Sequence, residues 1–155
     1  MSLEKVRQEL KKYGLEERVL VFEQSSATAD LAADLVGVSP GQIAKSLAFD
    51  VDGRTVMILV SGDRKIANPK YKEKFGQKPK MLRVDEVEER TGHPVGGVCP
   101  FAVEDGVEIY LDSSLKRYDV VYPACGSANS SIGLRIGELE KYTNYREWVD
   151  LSKES

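Results

Sequence analysis

With 155 residues, 41% of them hydrophobic and 30% charged, the chain fits one globular domain and is neither a disordered chain nor a disulfide-dependent miniprotein. Its longest strongly apolar run, residues 56–60, falls far short of the about 20 residues of a membrane-spanning helix; charges punctuate residues 1–18 as they do not in a signal peptide, so a cytoplasmic protein with no membrane partner and two reduced cysteines, Cys99 and Cys125, is expected. The net charge of −3, taken whole, argues against nucleic acid, and one histidine, His93, with two distant cysteines falls short of a zinc site.

Residues 3–13 read as an amphipathic helix, because Val6, Leu10 and Tyr13 recur at helical spacing and Gly14 follows as a C-cap. Residues 19–22 are a short strand. Ser25-Ser26-Ala27-Thr28 supplies an N-cap for a second helix over 29–36, closed by Gly37. Residues 43–50 and 54–60 are β-rich runs around Asp52-Gly53, a hairpin turn signal. A short helix is expected over 69–75, with proline at its start, and another over 85–90. Residues 91–100 form a glycine-rich loop. Strands follow over 107–111, 119–122 and 134–136, then a helix over 138–142. Helices interleaved with hairpin-joined strands predict an α+β domain built on a mixed sheet.

Charge is segregated along the chain. From Gly62 to Arg83 there are eight basic and two acidic residues, an excess of +6; from Val84 to Asp112 there is one basic residue and an excess of −7. Local lysines and arginines bind phosphates even in an acidic protein. The basic stretch is therefore expected to face a polyanion, the alternative being the solvated face of a short helix.

Three segments carry candidate chemistry. In Ile43-Ala44-Lys45-Ser46-Leu47-Ala48-Phe49, strand alternation places Lys45 in line with Ile43, Leu47 and Phe49, so its ammonium either meets an anion or snorkels to water. In the loop from Thr91 to Pro100, adjacent Gly96-Gly97 lets a ligand approach bare amides, or simply makes a rigid connector. The loop from Tyr122 to Leu134 joins apolar strands with small hydrogen-bonding residues. It suits a small polar ligand, or a turn satisfied by its own side chains. There is no Gly-x-Ser-x-Gly, Walker loop or dinucleotide fingerprint.

Taken together, the Ile-Ala-Lys-Ser-Leu run, the Thr-Gly-x-x-x-Gly-Gly-x-x-Pro run from Thr91 to Pro100 and the Gly126-Ser127…Asn129-Ser130 loop resemble the YbaK/EbsC family and the editing insertion domain of bacterial prolyl-tRNA synthetases. The resemblance runs from Ser26-Ala27-Thr28 and Gly37 to Leu139, over a single editing domain, and is nearer the stand-alone ProX-like and uncharacterised branches than YbaK. It implies a curved, mixed, largely antiparallel sheet flanked by helices, with a pocket in its concavity. It implies hydrolysis of the ester of a mischarged aminoacyl-tRNA, a mischarged tRNA-Pro being one candidate. The partners implied are the tRNA acceptor end and an aminoacyl-tRNA synthetase; no cofactor or metal is implied. Lys45, Gly96 and Gly97 fall on the catalytic positions, Lys45 holding phosphate at the terminal adenosine and the glycine amides facing the scissile ester. Phe22, Thr28, Ser46, Pro100, Cys125, Gly126, Ser127, Asn129 and Ser130 form the implied substrate-binding set. Cys125 stands where relatives carry serine or another small residue, and is expected to line the pocket without acting as a nucleophile. His93 stands at a position that varies among relatives and receives no role. A non-catalytic module that binds a tRNA end or aminoacyl-adenosine is the alternative reading.

Overall fold

The computed structural model describes residues 2–155. Helix α1 (Ser2–Lys11) buries Val6 and Leu10, and strand β1 (Val19–Val21) follows. Helix α2 (Ala29–Val36) starts at Thr28, whose hydroxyl accepts from the Leu31 amide at 3.2 Å, and ends at Gly37, whose φ of +87° suits a residue without a Cβ. Strands β2 (Ala44–Val51) and β3 (Arg54–Ser61) form the hairpin the Asp52-Gly53 signal predicts. Both turn residues have positive φ, 52° and 84°, as a two-residue primed turn requires. Then come β4 (Arg64–Ile66), α3 (Asn68–Phe75), α4 (Val87–Thr91), β5 (Glu108–Asp112), β6 (Val120–Val121), β7 (Ser130–Ile132), β8 (Leu134–Arg135), α5 (Ile136–Tyr142), β9 (Tyr145–Val149) and β10 (Ser152–Glu154).

The central sheet has the order β2-β3-β5-β9. β2 and β3 are antiparallel, while β3, β5 and β9 run parallel. β1 with β7, β4 with β10 and β6 with β8 pair antiparallel. The mixed α/β architecture expected from the sequence is the one observed. β3 is apolar on both faces because both are covered. Met57 and Leu59 join Val6, Leu10, Ile109 and Leu111 in one core; Val56, Ile58 and Val60 join Phe49 and Tyr71 in a second. The buried carboxylate of Asp112 ties the end of β5 to the C-terminal segment, accepting from the Leu151 amide at 2.8 Å, the Ser152 hydroxyl at 2.7 Å and the Ser114 amide at 3.0 Å.

The sequence reading differs from the structure at several ends. The strand expected over 134–136 stops at Arg135, because Ile136 opens α5 and the Glu138 carboxylate caps it by accepting from the Arg135 amide at 2.9 Å. The helix expected over 85–90 is a 3-10 turn, Val84–Glu86, followed by α4. β4, β7, β9 and β10 were not expected. An extended segment at 80–82 also lies along the outer edge of β2, with the Asp50 amide bonded to the Lys80 carbonyl at 2.8 Å and the Leu82 amide to the Ala48 carbonyl at 3.0 Å.

Candidate active site

A cavity of about 330 Å³ opens where four pieces of the fold meet: β2 with its edge segment, the start of α2, the glycine-rich loop, and the segment that runs from Tyr122 into β7. Its lining is mostly small and apolar, with Ala27, Ala32, Ala44, Ala48 and Ala124 among the walls. Met81 and Val95 line it while each remains 57% exposed, so they stand at its mouth. Of its lining residues only Lys45 carries a charge, and none is a carboxylate, an imidazole or a thiol.

Lys45 is half-buried, and its ammonium donates to the Arg64 carbonyl at the start of β4. Burial lowers its pKa, while Asp63 and Asp30 oppose that shift. The ammonium expected to need an anion thus has a carbonyl and two nearby carboxylates already. Ser46 is next to it on β2 and also lines the cavity. Its hydroxyl oxygen is buried and has no hydrogen-bond partner. A buried hydroxyl without a partner carries a desolvation cost that a bound polar group relieves. Thr28 and Ser130 join the same wall.

The two adjacent glycines part company. Gly96 lines the cavity at φ +88°, and an added Cβ would lie 3.3 Å from that of Ala27 and 3.2 Å from that of Ala128. Its N–H has no backbone partner among the described residues. Gly97 does not line the cavity. Its amide donates to the Pro94 carbonyl at 2.9 Å, and a Cβ there would lie 2.6 Å from both the Gly126 carbonyl carbon and the Ser127 nitrogen. The expectation that both amides face the ligand is therefore corrected at Gly97. There the missing side chain lets two loop backbones touch.

The late loop is also divided. Alternation turns Tyr122 and Ala124 to the cavity and Val121 and Cys125 into the core. Cys125 is fully buried beside Cys99, which corrects its expected place on the pocket wall. Burial holds its thiol well above the ordinary pKa, which disfavours the thiolate that a nucleophile needs. The Ser127 hydroxyl donates to Asn129 Oδ1 at 2.8 Å and accepts from the Ser130 hydroxyl at 2.7 Å. Asn129 holds Phe22 through two bonds of 2.8 Å, its side-chain Nδ2 donating to the Phe22 carbonyl and its own carbonyl accepting from the Phe22 amide. Phe22, Ser127 and Asn129 therefore brace the loop behind the wall, and Gly126 packs at φ +93° against Ser2. Pro100 is buried off the cavity.

Residues 23–142 match the aminoacyl-tRNA editing domain. The chain belongs to that family. The protein YwhH of Bacillus subtilis (strain 168) is 46% identical over 155 residues, 99% of each chain. The proline–tRNA ligase of Desulfovibrio desulfuricans (strain ATCC 27774 / DSM 6949 / MB) is 36% identical over 118 residues, 76% of this chain; the match takes up only 20% of that ligase. A solved candidate trans-editing enzyme for prolyl tRNA synthetase superposes with a TM-score of 0.88 at 31% identity, over 98% of this chain and 97% of that one.

Within this editing domain, the sequence reading missed Ser131, Tyr122, Met81 and Val95 as lining residues. Ser131 follows Ser130 directly on β7, and both line the cavity. Met81 reaches the cavity only because its segment pairs with β2, a contact 32 positions apart in the chain.

His93, given no role from the sequence, is fully buried. A carbonyl only accepts, so Nε2 must carry the proton it donates to Phe101 O at 2.6 Å; Nδ1 then accepts from the Ser2 hydroxyl. Burial lowers its pKa, with the Phe101 bond opposing. A folded-state value below the unfolded one, about 6.5, means the unfolded chain takes up the proton first. The stabilisation is complete above that pH and lost as pH falls below it. Urea midpoints should therefore drop between pH 7.5 and 5.5 in the wild type, and less so in His93→Gln. A flat wild-type profile contradicts this, since no other histidine titrates in the window. Carboxylate effects come lower: Arg18 holds Glu138 down at about 2, so its contribution is complete above the ordinary value of 4.5 and is lost as pH falls from there through about 2.

Proposed function

We propose that this chain is a trans-acting aminoacyl-tRNA deacylase, removing a small aminoacyl group from the 3′ end of a mischarged tRNA. The observation that carries the reading is the cavity's composition: one ammonium, one unpartnered buried hydroxyl, one cavity-lining glycine with a bare amide, and no acid, imidazole or thiol. That set is too weak to cleave an amide. It suits an ester already activated by the neighbouring ribose hydroxyl, which needs positioning and donors to the developing oxyanion. Lys45 would hold the phosphate of the terminal adenosine as a point charge. Gly96 N–H and Ser46 Oγ–H would donate to the carbonyl oxygen. Water adds to the carbonyl carbon, the C–O bond to the ribose breaks, and the ribose oxygen takes the proton that the water gives up. The small lining supports a small aminoacyl group, and the prolyl-tRNA ligase relatives support a tRNA charged by that synthetase, the synthetase itself being the candidate partner.

Excess turnover on a panel of mischarged tRNAs tests this. Loss of at least one ester in molar excess over protein is expected. Saturable binding of the same tRNAs with no ester lost favours the non-catalytic module instead.

The basic stretch has to be read differently once its partners are known. Lys70 pairs with Asp150 at 2.9 Å, Lys74 with Glu147, and Arg83 with Asp85 at 3.2 Å. Lys78 and Lys80 are exposed, have no ion pair among the described residues, and immediately precede Met81 and Leu82, which line the cavity. They are the candidate phosphate contacts. Lys78→Glu/Lys80→Glu should raise KM, leave kcat near its wild-type value, and flatten the slope of log affinity against log salt by about 1.4, at about 0.7 per single-strand phosphate. An unchanged slope in a two-salt titration removes these lysines from the interface.

A further inference from the structure

We propose that helix α1, which lies outside the residues matched to the editing domain, is a positioning clasp that holds the glycine-rich wall of the cavity in its working geometry; the proposal rests on the deacylase reading for its functional half. Ser2, Lys5 and Glu9 are spaced i, i+3 and i+7, so they share one face of the helix. All three reach the base of the loop that carries Val95, Gly96 and Val98 to the cavity.

The contacts close a ring. The Ser2 hydroxyl bonds to His93 Nδ1, and His93 Nε2–H bonds to the Phe101 carbonyl at 2.6 Å. The next atoms of that same peptide unit, the Ala102 N–H, donate to the Glu9 carboxylate at 2.9 Å, which returns to α1. One peptide is thus held at its oxygen by the histidine and at its nitrogen by the glutamate. It needs holding, because Ala102 has a φ of +50°, a conformation that side chains bearing a Cβ adopt at a cost. His93 and Phe101 stand at the two feet of the loop, so the imidazole closes it across its base. Thr91 fixes the ring's own backbone, its hydroxyl accepting from the His93 amide at 3.1 Å and donating to the Val87 carbonyl at 2.7 Å. Lys5 adds an exposed bond to the Gly92 carbonyl at 3.0 Å.

The same helix end also touches the facing loop. A Cβ on Gly126 would lie 2.8 Å from the Ser2 carbonyl carbon and oxygen. The first turn of α1 therefore sits behind both loops that Gly97 brings into backbone contact. None of Ser2, His93 and Glu9 lines the cavity, so each is a positioning residue. Their contribution is to where Gly96 N–H stands relative to Lys45 and Ser46.

The test uses Ser2→Ala/Glu9→Ala, with Glu9→Gln as the rescue variant, because the amide oxygen still accepts from Ala102, and Gln8→Ala as a control on another face. Two readouts are taken: amide hydrogen exchange over 95–98, and kcat and KM on the best mischarged tRNA. Losing a neutral and a charge-assisted bond should speed exchange in the loop about tenfold or more and lower kcat about tenfold, with KM within about twofold. Glu9→Gln should restore most of both, and Gln8→Ala should change neither. Wild-type exchange and kcat in a folded double variant overturn the clasp, as does a uniform rise in exchange over the whole chain with no kcat-specific loss. If the wild type cleaves no ester at all, the deacylase reading fails, and the exchange arm decides the clasp by itself.

Discussion

Replacing Lys45 by alanine should lower kcat/KM on a mischarged tRNA on the order of 10²–10³-fold while the protein stays folded. The size follows from the cavity's electrostatics: Lys45 is the sole cation in a small apolar space, and no other side chain there replaces it. The fold survives because the residue is only half-buried and its ammonium bonds to one carbonyl, that of Arg64. Losing that bond is offset by relief of the burial that already lowers its pKa, so stability should move by less than about 1 kcal/mol. Lys45→Arg should rescue little. A planar, forked guanidinium does not reproduce the compact point charge that bonds to the single Arg64 carbonyl. Steady-state kinetics beside a urea melt check both halves. Full activity in Lys45→Ala, or its failure to fold, contradicts the assignment.

The second large effect is expected at Gly97. An alanine there puts its Cβ 2.6 Å from two backbone atoms of the facing loop, and backbone cannot swing aside as a side-chain tip can. The two loops must separate. Gly97→Ala should cost about 1–3 kcal/mol of stability. It should also lower kcat about 10²-fold, the typical result of displacing a positioned group by about 1 Å. Gly96→Ala should behave differently. Its Cβ would press two methyl groups at 3.2–3.3 Å, but the φ of +88° penalises any side chain by about 1–2 kcal/mol. Because Gly96 lines the cavity, its substitution should also disturb substrate binding, which a KM measurement reads directly. Urea midpoints and kcat for both variants check this. A Gly97→Ala protein with wild-type midpoint and rate contradicts the close approach.

Much of this was legible in the residues. Thr28 and Gly37 bracket α2 by cap chemistry, and Asp52-Gly53 turns the hairpin, because each rule acts within a few positions of chain. Lys45 stood out because an ammonium in an apolar strand has few tolerable surroundings. What the sequence hid depends on partners far away in the chain. β4 and β10 are three residues each and mostly charged; they exist as a pair, Ser152 opposite Ile66 and Glu154 opposite Arg64. Gly96 and Gly97 look alike in sequence, and only the approach of residues 126–127 separates a cavity glycine from a packing glycine. Cys125 reads as a pocket residue by position, but one residue of alternation sends Ala124 to the cavity and the thiol to the core. The basic stretch promised a +6 surface, and Asp150 and Glu147, some 75 positions on, pair with two of its lysines. His93 was silent because its partners, Ser2 and the Phe101 carbonyl, come from a distant helix and a backbone atom.

The most direct test of where the ester sits is an NMR titration with a hydrolysis-resistant mimic, a 3′-aminoacylamido-adenosine carrying a 5′-phosphate. The cavity described here predicts saturable shifts at the Lys45 ammonium and at the Ser46 and Gly96 amides. Much smaller changes are predicted at Gly97, whose amide is held by Pro94, and at Lys70 and Lys74. Saturable binding that moves the signals of the α3 face and leaves Lys45, Ser46 and Gly96 unmoved would contradict it.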